Sequence, residues 1–236
     1  MQKILSALRQ CVSHYDMITN GDRIAVGVSG GKDSLTLLAA MRRMQTFYPA
    51  HYFLTAIFVD LGFPDSDFSS VQRFCETEGV PFHRVSTHIG EIVFSVRKEK
   101  NPCSLCSKLR YGALVEAAQS LGCNKIALGH HKDDAIETFL LNQYFEGRVD
   151  CFSPVTYFGD KGISVIRPFL FLSERSIQGY AKRAELPIFK NPCPADGNTK
   201  RQYIKDHIKA LEKENPGIKK RLFTALSRSG IDGWKE

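Results

Sequence analysis

The chain has 236 residues, of which 43% are hydrophobic and 24% charged, a composition that is typical of globular proteins and excludes a disordered chain. No apolar run approaches the roughly 20 residues of a membrane span, and the N-terminus lacks the apolar core of a signal peptide, so we expect a cytoplasmic protein that does not enter a membrane. The net charge of +7 arises in the last third: residues 161–236 carry 16 Lys and Arg against 8 Asp and Glu, whereas residues 1–160 carry 16 against 17. This excess indicates a polyanionic partner for the C-terminal segment.

Apolar spacing and turn residues predict the secondary structure in chain order. The first half is predicted to contain a helix over 2–18, a strand over 23–28, a helix over 33–47, a strand over 52–59, a helix over 68–78 and a strand over 82–86. A polar loop over 91–102 is followed by a helix over 104–121, a strand over 124–128, a helix over 134–145, a hairpin of strands 155–158 and 163–166, a helix over 173–184 and a short strand over 187–189. Two basic helices over 199–211 and 217–227 end the series.

This alternation of strands and helices predicts an α/β fold. We expect a doubly wound, mostly parallel sheet of about five strands, within one domain that spans residues 1–236. An N-terminal helix (1–20) and basic C-terminal helices (191–236) flank the α/β core (21–190). Ligands of such folds bind at the carboxyl ends of the strands, near a switch in strand order, which directs attention to the loops after the first and fourth strands.

The loop after the first strand reads Ser29-Gly30-Gly31-Lys32-Asp33-Ser34 and opens a helix. Its small residues let an anion approach the backbone, the helix offers free N–H groups, and Lys32 adds a positive charge. It is not a Walker A loop, because Val26 and Asp33 stand where that motif has Gly and Ser or Thr. A plain glycine turn is the alternative. A run of six residues of these types between a strand and a helix favours a phosphate site instead.

The loop after the fourth strand reads Gly129-His130-His131-Lys132-Asp133-Asp134 and continues as Ala135-Ile136-Glu137-Thr138. One aspartate in this place is explained by capping of the following helix. Two aspartates and two histidines at the carboxyl end of a strand exceed that need. Adjacent carboxylates suit Mg²⁺, which binds one or two carboxylates together with substrate phosphates.

Three of the seven cysteines share a context that favours metal chemistry. Cys103 and Cys106 form a Cys-x-x-Cys pair where a loop enters a helix, and both Cys103 and Cys193 follow Asn-Pro. Three soft thiolates suit zinc or an iron–sulfur cluster with one open position. An odd number of cysteines in a reducing compartment argues against a disulfide framework. The other four are predicted to be buried thiols: Cys11, Cys75, Cys123 and Cys151.

The Ser29 to Ser34 loop resembles the signature of the PP-loop ATPases, also called N-type ATP pyrophosphatases. The run Gly-His-His-x-Asp-Asp-x-x-x-Thr at 129–138 resembles the second motif of their tRNA-modifying members. Cys-Ser-Leu-Cys-Ser-Lys-Leu-Arg-Tyr-Gly-Ala-Leu at 103–114, Ile166-Arg167-Pro168-Phe169 and Cys193 make residues 20–228 similar to the 2-thiocytidine synthetase family. Many members carry a second downstream Cys-x-x-Cys, whereas Ala195 and Asp196 follow Cys193-Pro194 here. The sequence therefore indicates the family more firmly than it indicates which base is modified.

The resemblance implies that ATP is split to AMP and pyrophosphate, that the 2-oxo group of a pyrimidine is adenylated, and that sulfur then replaces it. The implied ATP-binding residues are Ser29, Gly30, Gly31, Lys32, Asp33, Ser34, Phe58, Asp60, Gly129 and His130. The implied catalytic residues are Lys32, Asp33, Asp133, Asp134 and Arg110, the last one helical turn beyond Cys106. The implied cofactors are Mg²⁺, with the aspartates as candidate ligands, and a [4Fe-4S] cluster held by Cys103, Cys106 and Cys193.

The implied partners are a tRNA, with a cytidine in the anticodon loop as the expected target, a sulfur donor (a cysteine desulfurase or free sulfide), and a second copy of the chain in a homodimer. Basic residues of the last third are the predicted phosphate contacts: Lys200, Arg201, Lys205, Lys209, Lys219, Lys220 and Arg221. Two alternatives remain open at this point. One is a PP-loop ligase of the lysidine-synthetase type with structural zinc, and the other is a nucleotide-binding module without catalysis.

Overall fold

The computed structural model describes residues 1–64, 66–97, 102–189, 192–193 and 200–235. The strands are β1 (Arg23–Gly27), β2 (Phe53–Asp60), β3 (Phe82–Ser86), β4 (Lys125–Ala127), β5 (Val155–Phe158) and β6 (Ile163–Ile166). The helices are α1 (Gln2–His14), α2 (Lys32–Met44), α3 (Ser69–Thr77), α4 (Ile89–Glu91), α5 (Pro102–Ser120), α6 (Lys132–Leu141), α7 (Glu174–Arg183), α8 (Lys200–Glu214) and α9 (Ile218–Arg228). Short π-helical turns over Ile92–Val96 and Asn142–Glu146 continue α4 and α6.

The strands of the described residues form one six-stranded sheet in the order β3-β2-β1-β4-β6-β5. All neighbours are parallel except β5 and β6, which form the predicted antiparallel hairpin. The α/β prediction is confirmed, but the sheet has six strands rather than about five, because β6 pairs with β4 and carries β5 to the edge. Strand order reverses between β1 and β4, the strands whose loops carry the two motifs.

Helices cover both faces of this sheet. Ile24 and Val26 of β1 belong to a core that includes α1, α2 and the C-terminal helices, whereas Ala25 belongs to a second core with α5. Alternate residues of a strand point to opposite faces, so a central strand buried on both sides requires two helical layers. No helix of the described segments combines the length and hydropathy that a membrane span requires.

The predicted polar loop over 91–102 was wrong in its first part. Residues 89–96 form α4 and a π-helical turn, with Ile89 and Val93 buried against Leu61. Residues 98–101 lie outside the described part of the chain. The polar composition concealed a short apolar stripe, which packs against the side of α5 that carries Cys106.

The predicted strand over 187–189 was also wrong. The N–H of Ile188 donates to the carbonyl of Leu186 at 2.8 Å, and the N–H of Phe189 donates to the carbonyl of Gly30 at 2.9 Å. Pro187 has no N–H to offer to a neighbouring strand. The segment therefore lies against the loop after β1 instead of joining the sheet.

Candidate active site

The ends of β1, β2 and β4 surround a cleft of about 330 Å³. Eight residues that the sequence predicted for the site line this cleft: Ser29, Asp33, Ser34, Phe58, Arg110, Gly129, His130 and Asp134. The wall is otherwise largely apolar and includes Ile57, Leu61, Tyr111, Leu114 and Leu128. The fold thus brings both motifs, and one side of the cysteine-bearing helix α5, to a single cleft at the switch in strand order.

The loop after β1 is held in a tight, glycine-dependent conformation. Gly30 has a φ of +78°, and a Cβ placed there would lie 2.7 Å from Cβ of Phe189, so both the backbone and the space require glycine. The Oγ of Ser34 donates to the carbonyl of Gly31 at 3.0 Å and accepts from the N–H of Ser29 at 3.1 Å. Gly31 caps α2 without a side-chain hydrogen bond, which leaves N–H groups of the first turn for an anion.

The second motif closes onto this loop at Gly129. A Cβ at Gly129 would lie 3.1 Å from the carbonyl carbon of Asp33, so the absence of a side chain allows the two loops to approach each other. The contact aligns the N-terminus of α2 with that of α6. Two helix N-termini therefore point toward the same cleft, an arrangement that favours binding of a negatively charged ligand.

Lys32 is held by two carboxylates. Its Nζ lies 3.0 Å from Oδ2 of Asp33 and 3.1 Å from Oε1 of Glu174. Burial lowers the pKa of Lys32, but these carboxylates outweigh it and raise the pKa above its ordinary value. For Glu174, burial acts in the opposite direction and raises the pKa, yet Lys205 and Lys32 together lower it to about 2. Sequence reasoning missed Glu174, because an acid in the first turn of a helix is explained by the helix dipole alone.

The two aspartates of the second motif have different surroundings. His131 caps α6: its Nδ1 accepts from the N–H of Asp134 at 3.3 Å, and Oδ2 of Asp134 accepts from the N–H of His131 at 2.9 Å. Asp134 lines the cleft while it completes this capping box. Asp133 does not line the cleft. Its carboxylate accepts from the N–H of Glu174 at 2.8 Å and from Nζ of Lys219 at 2.7 Å, and so ties α6 to α7 and α9.

Two polar atoms at the cleft are buried without a hydrogen-bond partner in the described structure, Oδ1 of Asp33 and Nδ1 of His130. The ring of His130 packs on Phe152 with centroids 5.0 Å apart. Burial, reinforced by the positive charge of Arg167, lowers the pKa of His130 to about 3, so this histidine is neutral at physiological pH. The Oδ1 of Asp33, which lies 3.7 Å from Nε2 of His131, is an acceptor at the cleft, and with Asp134 it fits the one or two carboxylates by which proteins bind Mg²⁺.

The three metal-chemistry cysteines lie on two segments. Cys103 is exposed on the first turn of α5, Cys106 is half-buried one turn later, and Cys193 is half-buried in the described pair 192–193. Burial raises the pKa of Cys106, Arg110 opposes that rise, and the charges of Cys193 and Cys103 add to it. Cys103 and Cys193 therefore lie close enough to Cys106 for their charges to affect it. Arg110 lies both near them and at the cleft.

This donor set fits a cluster better than a single ion. Among the residues described, no group of three Cys, His, Asp or Glu could hold one metal ion. A structural zinc ion needs four ligands around one atom. An iron–sulfur cluster distributes its thiolate ligands over several iron atoms, and three thiolates leave one of its positions open.

The remaining four cysteines are buried, which confirms the prediction of buried thiols. Burial raises the pKa of Cys11, Cys75 and Cys151 to about 12, and raises that of Cys123.

Asp60, which was predicted to bind ATP, is paired with an arginine outside the cleft. Its Oδ2 accepts from Nη2 of Arg84 at 2.5 Å, and it does not line the cleft.

Three of the basic residues that were predicted to contact tRNA form ion pairs beside the cleft, although their side chains remain 42–46% exposed. Arg201 lies 3.6 Å from carboxylate oxygens of both Asp134 and Glu137, and its Nη2 donates to Thr138 at 3.1 Å. Lys205 pairs with Glu174 at 2.8 Å, and Lys219 pairs with Asp133. The excess charge of the C-terminal third is therefore used in part to dock α8 and α9 beside the cleft.

This architecture is that of a PP-loop domain. A family model described as a PP-loop domain matches residues 2–211. The chain is 39% identical over 229 residues to a tRNA-cytidine(32) 2-sulfurtransferase of Pelobacter propionicus, with 96% of this chain and 85% of that protein aligned. It is 38% identical over 228 residues to the protein of that name from Geobacter sulfurreducens, with 95% and 89% aligned.

Among solved structures, the U34-tRNA thiolase NcsA of Methanococcus maripaludis, with its [4Fe-4S] cluster, superposes with a TM-score of 0.76. The two are 25% identical, and the match covers 94% of this chain and 77% of that one. The chain belongs to the tRNA-cytidine(32) 2-sulfurtransferase family of PP-loop enzymes. This confirms the resemblance on which the predicted function depends.

Proposed function

We propose that this enzyme uses ATP to replace the 2-oxo group of a cytidine in tRNA by sulfur. The observation that carries the proposal is the shared cleft: the loop after β1, the second motif and Arg110 of the cysteine-bearing helix line one cavity. Relatives that align over most of both chains carry the name tRNA-cytidine(32) 2-sulfurtransferase. Position 32 lies in the anticodon loop, where an unpaired base can be turned out into a pocket more readily than a paired one.

ATP binds with its phosphates on the loop from Ser29 to Ser34. The free N–H groups at the start of α2 and the Nζ of Lys32 stabilise the negative charge that develops on the phosphoryl oxygens. Lys32 must exchange its contact with Glu174 for one with phosphate. The apolar wall around Ile57, Phe58 and Leu114 suits the adenine ring.

Asp33 and Asp134 would hold Mg²⁺, which when bound neutralises charge on the phosphates. Their separate surroundings support this division of labour. Asp33 has one oxygen without a hydrogen bond. Asp134 reaches the cleft from the capping box with its other oxygen 3.6 Å from Arg201, whereas Asp133 does not line the cleft and both of its oxygens accept hydrogen bonds, from Glu174 and Lys219.

In the first chemical step, the 2-oxo oxygen of the base bonds to the α-phosphorus, and the bond to the bridging oxygen breaks as pyrophosphate leaves. The ring carbon now carries AMP, a far better leaving group than the original oxygen. In the second step a sulfide sulfur bonds to that carbon and AMP departs with the former base oxygen. Sulfide enters at the oxidation level it keeps in the product, so a proton is released and no electron acceptor is needed.

Cys103, Cys106 and Cys193 would hold a [4Fe-4S] cluster. Held by three thiolates, such a cluster would have one iron without a protein ligand, which would be available to bind sulfide. Arg110, one turn beyond Cys106, lines the cleft and adds a positive charge that also acts on Cys106. Free sulfide or a cysteine desulfurase would supply the sulfur.

The proposal is tested by anaerobic incubation of the iron-loaded enzyme with ATP, Mg²⁺, sulfide and unmodified tRNA. We expect AMP, pyrophosphate and 2-thiocytidine in equal amounts. Formation of ADP, or a thiolated nucleoside without AMP, would exclude adenylation. A lysine-bearing nucleoside would assign the chain to the ligase class instead.

A further inference from the structure

Four aromatic side chains form an exposed cluster beside the C-terminal end of α6; we call it the aromatic patch, and it consists of Tyr144, Phe145, Tyr203 and His207. Tyr144 and Phe145 lie on the π-helical turn after α6, and the other two lie on α8. Tyr144 is 51% exposed and Tyr203 is 58% exposed. Large aromatic rings that share one exposed surface mark binding sites more often than isolated ones do.

The rings hold one another in defined orientations. Tyr203 and His207 are separated by one helical turn, and their planes are parallel to within 3° at a centroid distance of 6.3 Å. Phe145 meets Tyr203 edge to face at 5.9 Å, and the hydroxyl of Tyr144 lies 3.3 Å from Nε2 of His207. The patch is therefore ordered before any ligand arrives, which lowers the entropic cost of binding.

The patch is also electropositive. The Nζ of Lys200 lies 4.9 Å from the centroid of Phe145. The helices α8 and α9 together carry nine Lys and Arg against three Asp and Glu; Arg201, Lys205 and Lys219 pair with acids beside the cleft, which leaves six basic residues against three acidic ones. A second copy of the chain would bring the same basic helices into mutual contact, whereas a polyanion with flat rings matches both the charge and the aromatic surface.

The distance from the cleft suits a neighbouring part of one RNA loop. The helix α6 has ten residues, begins beside Asp134 at the cleft and ends at the patch, so the two are about 15 Å apart at a rise of ~1.5 Å per residue. A strand stacked as in a duplex rises ~3.4 Å per nucleotide, so this span corresponds to about four stacked nucleotides, or to fewer where the loop is extended. Arg201, which contacts Asp134 and Thr138, fixes the start of α8 between the two places.

We propose that the aromatic patch stacks unpaired bases that neighbour the target cytidine in the same tRNA loop. The inference rests on the proposed function and adds a surface to it. Base stacking on aromatic rings is tolerant of sequence, so the patch would orient the loop while the cleft selects the base. Lys200 would contact the adjoining phosphate.

The test uses a synthetic anticodon stem-loop with 2-aminopurine at successive loop positions. We expect fluorescence quenching at one or two positions outside the target base on binding to the intact enzyme. Tyr203→Ala and Phe145→Ala should each weaken stem-loop binding about tenfold, and Tyr203→Phe should restore it. Phe47→Ala is the matched control. Phe47 is also exposed, but it follows the C-terminal end of α2, whereas the N-terminal end of α2 is the one at the cleft.

Unchanged binding by both alanine variants, in an enzyme that still thiolates tRNA, would overturn the patch proposal and leave the proposed function intact. Failure of the unmodified enzyme to thiolate tRNA would instead contradict the proposed function. Light scattering distinguishes the protein alternative. If Tyr203→Ala converts a dimer to a monomer without weakening stem-loop binding, the patch is a contact between copies of this chain and the proposal is wrong.

Discussion

The Nζ of Lys32 lies 3.1 Å from Oε1 of Glu174, so the lysine of the loop after β1 is already paired with an acid on α7. The same carboxylate accepts from Lys205 of α8 at 2.8 Å. A phosphate on the loop must compete with Glu174 for Lys32. Nucleotide binding and the docking of α8 therefore depend on one carboxylate, although the three residues are far apart in the sequence.

The first prediction separates the two lysines that share Glu174. Lys32→Met should lower kcat/KM for AMP formation by about 100-fold to 1,000-fold, because a positive charge that stabilises the phosphoryl oxygens is lost. Lys205→Met removes the other cation of the same acid from α8, outside the loop after β1, and should leave AMP formation nearly unchanged. Pyrophosphate release measures both. An equal loss in the two variants would place the effect in Glu174 rather than in the loop.

The second prediction concerns acid stability. Glu174 has a pKa of about 2 in the folded protein against an ordinary value of 4.5, because Lys205 and Lys32 outweigh the effect of burial. A lowered folded pKa contributes stability that is present above pH 4.5 and is lost as the pH falls toward 2. Glu174→Gln should therefore be less stable than the unmodified chain near neutral pH, and the difference should narrow in acid.

Urea unfolding at a series of pH values measures this difference. Lys205→Met serves as a control, since it removes one of the two cations and should reproduce part of the loss. A gap between Glu174→Gln and the unmodified chain that stays constant from neutral pH to acid would contradict the ion-pair assignment.

A third prediction concerns the shape of the loop after β1. Gly30→Ala places a methyl group 2.7 Å from Cβ of Phe189 at a φ of +78°, and should both destabilise the protein and abolish ATP binding. Gly21 is a matched control, because its φ is +87° but its added Cβ meets nothing within 4 Å. Gly21→Ala should cost only the backbone strain of about 1–2 kcal/mol. Thermal melts and nucleotide titration distinguish the two; similar behaviour would mean that crowding at Phe189 is unimportant.

The fourth prediction concerns the thiols. Cys106→Ser should lose the visible absorption of the iron–sulfur cluster and tRNA thiolation while it retains ATP binding. Cys75→Ser alters a buried thiol of the core and should retain all three properties. Iron and sulfide analysis after anaerobic reconstitution provides the measurement. Retention of a full iron complement by Cys106→Ser would exclude Cys106 as a ligand.

Much of the fold could be predicted, because its signals are local. Short β-branched runs such as Arg23–Gly27 alternate with amphipathic helices, and that alternation defines a parallel sheet with its site at the switch in strand order. The apolar stripe over Ile89–Val96 could not be predicted, because it is short and surrounded by polar residues. The segment around Phe189 could not be predicted either, since its partner is Gly30, far away in the sequence.

The sequence predicted which residues belong to the site better than it predicted which of them contact one another. Motif spacing was sufficient to gather Asp33, Arg110 and Asp134 at one cleft. It could not separate Asp133 from Asp134, because neighbours on a helix point about 100° apart and only packing decides which one faces the cleft. The role of Glu174 depends on contacts between distant helices, which single-sequence patterns do not record.

The transfer of oxygen from the base to AMP is the central claim. A synthetic anticodon stem-loop that carries oxygen-18 at the 2-oxo position of the target cytidine tests it directly in the anaerobic reaction with ATP, Mg²⁺ and sulfide. We expect each thiolated cytidine to be accompanied by one AMP that contains the heavy oxygen. Unlabelled AMP beside a thiolated base, or labelled AMP without any thiolated base, would contradict it.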